Sequence, residues 1–413
     1  MRTEVRSPLS PRALAAAALV LIALAIYIVY ALARSLPSRS LTVAPATAAL
    51  STPRAVAPLA WPVSGAAALA VEGVATVGVH GSGAPGAIAS VAKVMTAYVV
   101  LAAHPLAPGE QGPSLRVSAA DAAAYRRDAA EGQSVLPVRA GERLSELDAL
   151  EGLLLPSGNN VAVLLARWDA GSERAFVAKM NATAGSLGLT HTLYTSASGL
   201  ESSTVSTAAD QLRLAEVAFR VPVFRQIVAM PEAILPVAGP QYNVDALLGH
   251  DGIVGIKTGT TTSAGGCFVF AARVPEGRRE ITVIGVVLHQ PGSDSEASLL
   301  AAAFQATTSL LHSMPDGLRV RTLLRRGETL ATLTAPWSQS VPLTAGRRVR
   351  VLLWRGIPIH ASIPSEEHMP ASFAAGKVVG VATLKVGTRL ERVPLVAKRG
   401  FGGASIGWRL THP

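Results

Sequence analysis

The chain is short of cysteine, lysine and charge, and each shortage excludes something. Cys267 is the only cysteine in 413 residues, so neither an intrachain disulfide nor a thiolate metal cluster can form. Its setting, GGCFVFAA, makes it a small buried hydrophobe before a reactive thiol. The nine histidines are scattered without HExxH or any other tight ligand spacing, so no metal is implied. Charged residues make up 15% and hydrophobic ones 49%, which excludes a disordered or fibrous chain and leaves room for at least one large core. No zinc-finger, helix-turn-helix or RNA-recognition pattern occurs, so nucleic acid is not an expected partner.

What charge there is lies unevenly. The whole chain carries +10, and residues 316–413 alone account for a net +10, while residues 35–315 are slightly acidic. A basic module can face an anionic polymer or lipid. It can also be an ordinary solvated surface, and the spread of its arginines over alternating segments favours the second.

Residues 13–33, ALAAAALVLIALAIYIVYALA, are uncharged and long enough to cross a hydrocarbon core. Arg2, Arg6 and Arg12 precede them, which predicts a cytoplasmic N-terminus and an exported remainder. A cleaved signal peptide is the rival, because Ala31-Leu32-Ala33 resembles a cleavage site, but the apolar run is long for one. Residues 1–34 are therefore expected to be a cytoplasmic tip and membrane anchor, and residues 35–59, rich in Pro, Ser and Ala, a spacer.

Beyond the spacer, two short strands around Glu72-Gly73 suggest a hairpin. Residues 90–103 are apolar on all faces, as in a buried helix. Helix formers dominate from about 118 to 231; strands then return as GIVGIKTG, GGCFVFAARV and EITVIGVVLH, and an amphipathic helix closes the region. The expectation is one α+β domain over residues 60–314, an antiparallel sheet flanked by helices with a helical insertion. After Met314-Pro315-Asp316-Gly317, short alternating segments predict a small all-β domain over 315–413, a sandwich or barrel.

Lysine is the informative scarcity. The chain has 31 arginines and six lysines, so a lysine in a poor environment suggests chemistry that Arg cannot do, chiefly giving up a proton. Lys179 lies in a polar helix pattern and is expected on a solvated face. Lys93 sits inside AIASVAKVMTAYVV with Ser90 three residues earlier, on the same helical face. Burial disfavours the charged amine, and a neutral amine beside a hydroxyl can take its proton to make a nucleophile. The same Ser-x-x-Lys pattern occurs by chance, and Ser90 also fits a plain helix cap. Leu155-Pro156-Ser157-Gly158-Asn159-Asn160 alone is a turn and cap, and Lys257-Thr258-Gly259-Thr260 alone an edge strand running into a turn. All three in the order SxxK, SxN, KTG are harder to reach by accident.

With these motifs the chain resembles the penicillin-recognising serine peptidases, and within them the serine-type D-alanyl-D-alanine carboxypeptidases, the low-molecular-mass penicillin-binding proteins. GERLSELDALEGLLLPSGNNVAVLLA, FVAKMNATAGSLGL and GIKTGTTTSAGGCFVFAAR extend the likeness over most of residues 65–290, and GKVVGVATLKVG and RVPLVAK carry a looser one to that family's accessory domain. The resemblance implies Ser90 as nucleophile, Lys93 as its base, Ser157 as a proton relay and Asn159 as a hold on the substrate backbone. It implies Lys257, Thr258, Gly259 and Thr260 as the substrate-binding strand, with the Ser90 and Thr260 backbone N–H groups as oxyanion hole. Peptidoglycan stem peptides are the implied substrate, β-lactams covalent inhibitors, and no cofactor is needed.

Two departures stand out. The family is often held to the membrane by a C-terminal amphipathic helix, and GASIGWRLTHP does not read as one. The middle motif is SGN, and none of Glu173, Glu201, Glu216 and Glu232 has the E-x-x-x-N setting of a class A β-lactamase, so fast β-lactam hydrolysis is not expected. A DD-endopeptidase or transpeptidase with the same site, and a catalytically silent β-lactam- or wall-binding protein, remain the alternatives.

Overall fold

The computed structural model describes residues 10–50, 58–276, 279–293 and 295–412. Its centre is a five-stranded antiparallel sheet, in the order Ile253–Thr261, Gly265–Glu276, Arg279–Gln290, Ala66–Val71, Ala75–Gly81. The hairpin expected at Glu72-Gly73 is present, with Gly73 at φ +69°. Its first strand, AAALAV, is buried along its whole length. Ala66, Ala68 and Ala70 meet the helical core on one face; Ala67, Leu69 and Val71 meet a second core on the other. The small side chains Ala66, Ala68 and Ala70 let the helical layer close in on the first face, in the α+β arrangement expected from the sequence.

Helices between residues 93 and 228 form the layer on the first face, and Lys93–Ala103 lies at its middle, buried on nearly every side. The helix Glu296–Ser313 covers the opposite face. Its approach is set by Gly266, where a Cβ would collide with the carbonyl oxygen of Leu299. Gly266 pairs with Thr260 across the sheet, so this contact also fixes the helix start beside Thr260.

The C-terminal residues form five strands of a six-stranded antiparallel sheet and a two-stranded ribbon, Leu318–Leu324 with Val349–Trp354, which share one core as two layers. Trp354 leaves that core and is buried against the central sheet, below Gly317. A second tie runs from the Thr388 N–H and hydroxyl to the Val74 carbonyl, at 3.0 and 3.2 Å.

Two local expectations need correction. Residues 35–59 are not uniformly irregular: Ser40–Val43 adds a strand to the edge of the six-stranded sheet, against Thr329–Ala335, and Pro45–Leu50 is a short helix. The alternation of SLTV is too brief to rise above its Pro- and Ser-rich surroundings. Likewise Ile406–Thr411, where no helix is expected, forms one and lies against the N-terminal helix Pro11–Ala33. Ser405 caps it by accepting from the Trp408 N–H, the Tyr27 hydroxyl donates to the Leu410 carbonyl (2.6 Å), and Arg409 donates to the carbonyls of Leu32 and Arg34. The helix Pro11–Ala33 itself has the length and apolarity to cross a membrane.

Because Gly266 separates two backbones that must touch, Gly266→Ala is expected to destabilise the fold by about 1–3 kcal/mol. The measurement is a urea unfolding curve, where the midpoint falls at unchanged slope; an unshifted midpoint would show that the helix yields freely.

Candidate active site

Ser90 lies in a 3-10 turn, Ala89–Ala92, that runs directly into the helix Lys93–Ala103. The first turn is thus tighter than the regular helix expected there, and in a 3-10 turn residues three apart eclipse, which stacks Ser90 on Lys93. The turn is gripped from two sides by glycines. Gly199, at φ +78°, packs against the carbonyl of Ala89, and a Cβ there would overlap it. Gly259 faces it from the edge strand, where a Cβ would sit 3.0 Å from the Ser90 nitrogen and 2.9 Å from that of Val91. Ala89 itself is held at φ +46°, a left-handed conformation that a non-glycine residue keeps only when its surroundings impose it.

Lys93 has 0% of its surface exposed. Its Nζ lies 2.6 Å from Ser90 Oγ, 2.6 Å from Asn159 Oδ1 and 3.3 Å from Ser157 Oγ, all neutral groups. Burial, and secondarily the charge of Lys257, hold its pKa well below the ordinary lysine value, against a weaker pull from Glu201. An amine pushed toward its neutral form at hydrogen-bond distance from a hydroxyl is equipped to accept that hydroxyl's proton.

Ser157 and Asn159 come from the turn between the helices Glu146–Leu154 and Asn159–Ala170. Ser157 takes φ +65° between Pro156 and Gly158, which turns its hydroxyl back toward Lys93. Asn159 donates from Nδ2 to Gln133 Oε1 (3.1 Å) while its backbone N–H donates to Ser134. Asn160 clamps the Leu136 backbone through both its amide groups, at 2.9 Å each, so residues 132–136 are tied to the same turn.

The third wall is the free edge of the central sheet, where Lys257, Thr258, Gly259 and Thr260 pair inward with Val269, Phe268, Cys267 and Gly266. Lys257 is 2% exposed and donates to the Thr258 carbonyl. Burial lowers its pKa to about 7, although Asp245 and Glu296 favour its charged form. Asp245 is in turn raised to about 6 by its own burial.

Ser90, Ser157, Asn159, Thr258, Gly259 and Thr260 therefore meet in the wall of one cleft of about 240 Å³, with Lys93 and Lys257 buried behind it. Gln133, Leu200, Val244, Glu296 and Leu299 also line it, and sequence reasoning did not single them out. None sits in a motif whose chemistry announces itself. Outside the cleft, Lys179 is no freely solvated charge, since it pairs at 2.7 Å with Asp169, which His104 also contacts at 3.0 Å. Cys267 is buried and its thiol is pushed up to about 12, in keeping with a packing role.

A hydroxyl beside a buried lysine amine, faced by an open strand edge, on a sheet covered by helices on both sides, defines a serine peptidase of the penicillin-binding type. The chain belongs to the D-alanyl-D-alanine carboxypeptidase family, whose model matches residues 81–292, just over half of its length. It is 29% identical over 315 residues to the D-alanyl-D-alanine carboxypeptidase DacC of Escherichia coli, across 75% of this chain and 76% of that one. It is 33% identical over 195 residues to a D-alanyl-D-alanine endopeptidase of Pseudomonas aeruginosa, across 45% of this chain and 59% of that one. Penicillin binding protein 5 of Haemophilus influenzae shares the fold, with a TM-score of 0.58 at 20% identity, over 85% of this chain and 99% of that structure.

The low pKa of Lys257 has a consequence for stability. At about 7 it lies below the ordinary 10.5, so between those values the unfolded chain binds the proton more readily and stability rises with pH. Lys257→Met lacks this slope. Its stability relative to wild type is expected to be highest at pH 7 and below, and to decline steadily toward pH 10 in urea midpoints. A difference that stays flat across that window would contradict a neutral buried amine.

Proposed function

We propose that the chain is a membrane-anchored serine carboxypeptidase that removes the terminal D-alanine from peptidoglycan stem peptides. The observation that carries this reading is Lys93 Nζ, buried, 2.6 Å from Ser90 Oγ and within reach of Ser157. Lys93 takes the proton of Ser90 as Oγ bonds to the carbonyl carbon of the penultimate D-alanine. The resulting oxyanion is received by the backbone N–H groups of Ser90 and Thr260, and one such donor typically contributes about 3–4 kcal/mol. Ser157 passes a proton to the departing nitrogen, the C–N bond breaks, and D-alanine leaves. Water then cleaves the Ser90 ester with Lys93 again accepting a proton. Asn159 orients the substrate backbone, which lies along the open edge at Thr258–Thr260, and Lys257 attracts the terminal carboxylate. A β-lactam enters the same steps and leaves an ester on Ser90.

The apolar helix Pro11–Ala33 supports the anchor, and the arginines before it support a cytoplasmic N-terminus with the catalytic part outside. A second reading, DD-endopeptidase, is favoured by the 33% identity to the Pseudomonas endopeptidase.

The mechanism predicts a penicilloyl mass increment on Ser90 that is absent in Ser90→Ala. Lys93→Arg keeps a long hydrogen-bond donor but stays charged and cannot act as a base, and is expected to lower acylation by roughly 10²–10⁴-fold. An equal label on wild type and Ser90→Ala would sink it. Offered both a stem peptide ending in D-Ala-D-Ala and a cross-linked dimer, the chain is expected to release D-alanine from the first; cleavage of dimers alone would select the endopeptidase reading.

A further inference from the structure

The cleft contains an acid where its proposed substrate carries one. Glu296, the first residue of the helix Glu296–Ser313, accepts a 2.9 Å hydrogen bond from the hydroxyl of Thr260 on Oε1. Its place is fixed from three directions. Ser295 caps the helix by accepting from the Ser298 N–H. Gly266, the sheet partner of Thr260, lets the first turn seat on the strand beside it. The helix N-terminus itself favours a carboxylate at this position.

Thr260 and Lys257 are the groups on the open edge suited to the terminal carboxylate of the leaving residue. One of them already serves Glu296. Among the described residues lining the cleft there is no arginine, and Lys257 lies behind the wall. A substrate carboxylate approaching the Thr260 hydroxyl meets a like charge at hydrogen-bond range and must displace it. A carboxamide meets no such charge, and its N–H donates to the carboxylate oxygen that Thr260 leaves free.

We infer that Glu296 sets selectivity at the leaving-group subsite, disfavouring a free carboxylate on the departing residue relative to an uncharged carboxamide. The inference deepens the proposed function and rests on its acyl transfer at Ser90. It makes amidated peptidoglycan peptides substrates of this cleft alongside free acids.

The test compares two peptides, one ending in D-Ala-D-Ala and the same peptide ending in D-alaninamide, on the wild-type chain and Glu296→Gln. Glutamine keeps an acceptor for Thr260 and removes the charge; because that charge also favours protonated Lys257, the comparison is made well below pH 7, where that amine keeps its proton. The acid-to-amide ratio of kcat/KM is expected to rise roughly fivefold in the variant at low salt, the scale of an exposed charge interaction, and the difference to narrow as salt is added. A structural disturbance would move both peptides together, so an unchanged or falling ratio with turnover intact overturns this inference alone. Failure of the wild-type chain to consume either peptide, with no ester on Ser90, overturns the acyl-transfer reading and this inference with it.

Discussion

An amine buried without a charged partner is costly, and the organisation of this chain around Lys93 follows from how that cost is met. The three groups within hydrogen-bond reach of its Nζ are two hydroxyls and an amide oxygen. None offers the full charge that would keep an ammonium in place, so desolvation drives the group toward its neutral form. Those same neighbours satisfy the amine as a donor and an acceptor, which an all-apolar pocket could not do. The helical layer supplies the dry surroundings, and the Ser157–Asn159 turn supplies the polar contacts.

Neutrality alone would be idle without a hydroxyl held at 2.6 Å, and that distance depends on backbones meeting closely. The turn bearing Ser90 is compressed between Gly199, from the loop joining the helices Glu173–Leu187 and Ala208–Ala218, and Gly259, on the edge strand. Any side chain at either place would push the turn away from one wall of the cleft. The left-handed Ala89 and Ser157 show the other side of this compression, since conformations costing about 1–3 kcal/mol persist only where packing over-determines them. Strain and close approach therefore converge on the same few residues.

The sequence exposes these features unequally. The strands at each end of residues 60–314, the buried Lys93 helix and the three motifs are legible because each is local: periodicity, a scarce lysine among many arginines, a hydroxyl at fixed spacing. Glu296 is not legible, because it lies 36 residues beyond Thr260 and reaches it only through the packing of a helix on Gly266. Gln133 is invisible for the same reason, being brought to Asn159 by the clamp that Asn160 makes on Leu136. The strand Ser40–Val43 fails differently: its four residues carry no decisive pattern, and only the unpaired edge of Thr329–Ala335 gives them a structure.

The two buried lysines also explain one another. Lys257 lowers the proton affinity of Lys93, so the chain cannot readily hold both amines charged. Asp245 and Glu296 lie on the side of Lys257 and favour its charged form; the weaker pull of Glu201 does not restore that of Lys93. The acids are therefore distributed so that two favour the charged form of the strand amine and one that of the helix amine. That division places a carboxylate beside the Thr258–Thr260 end of the cleft. That carboxylate, Glu296, accepts a hydrogen bond from the Thr260 hydroxyl at 2.9 Å. The charge that sustains Lys257 is then the charge an incoming carboxylate must confront.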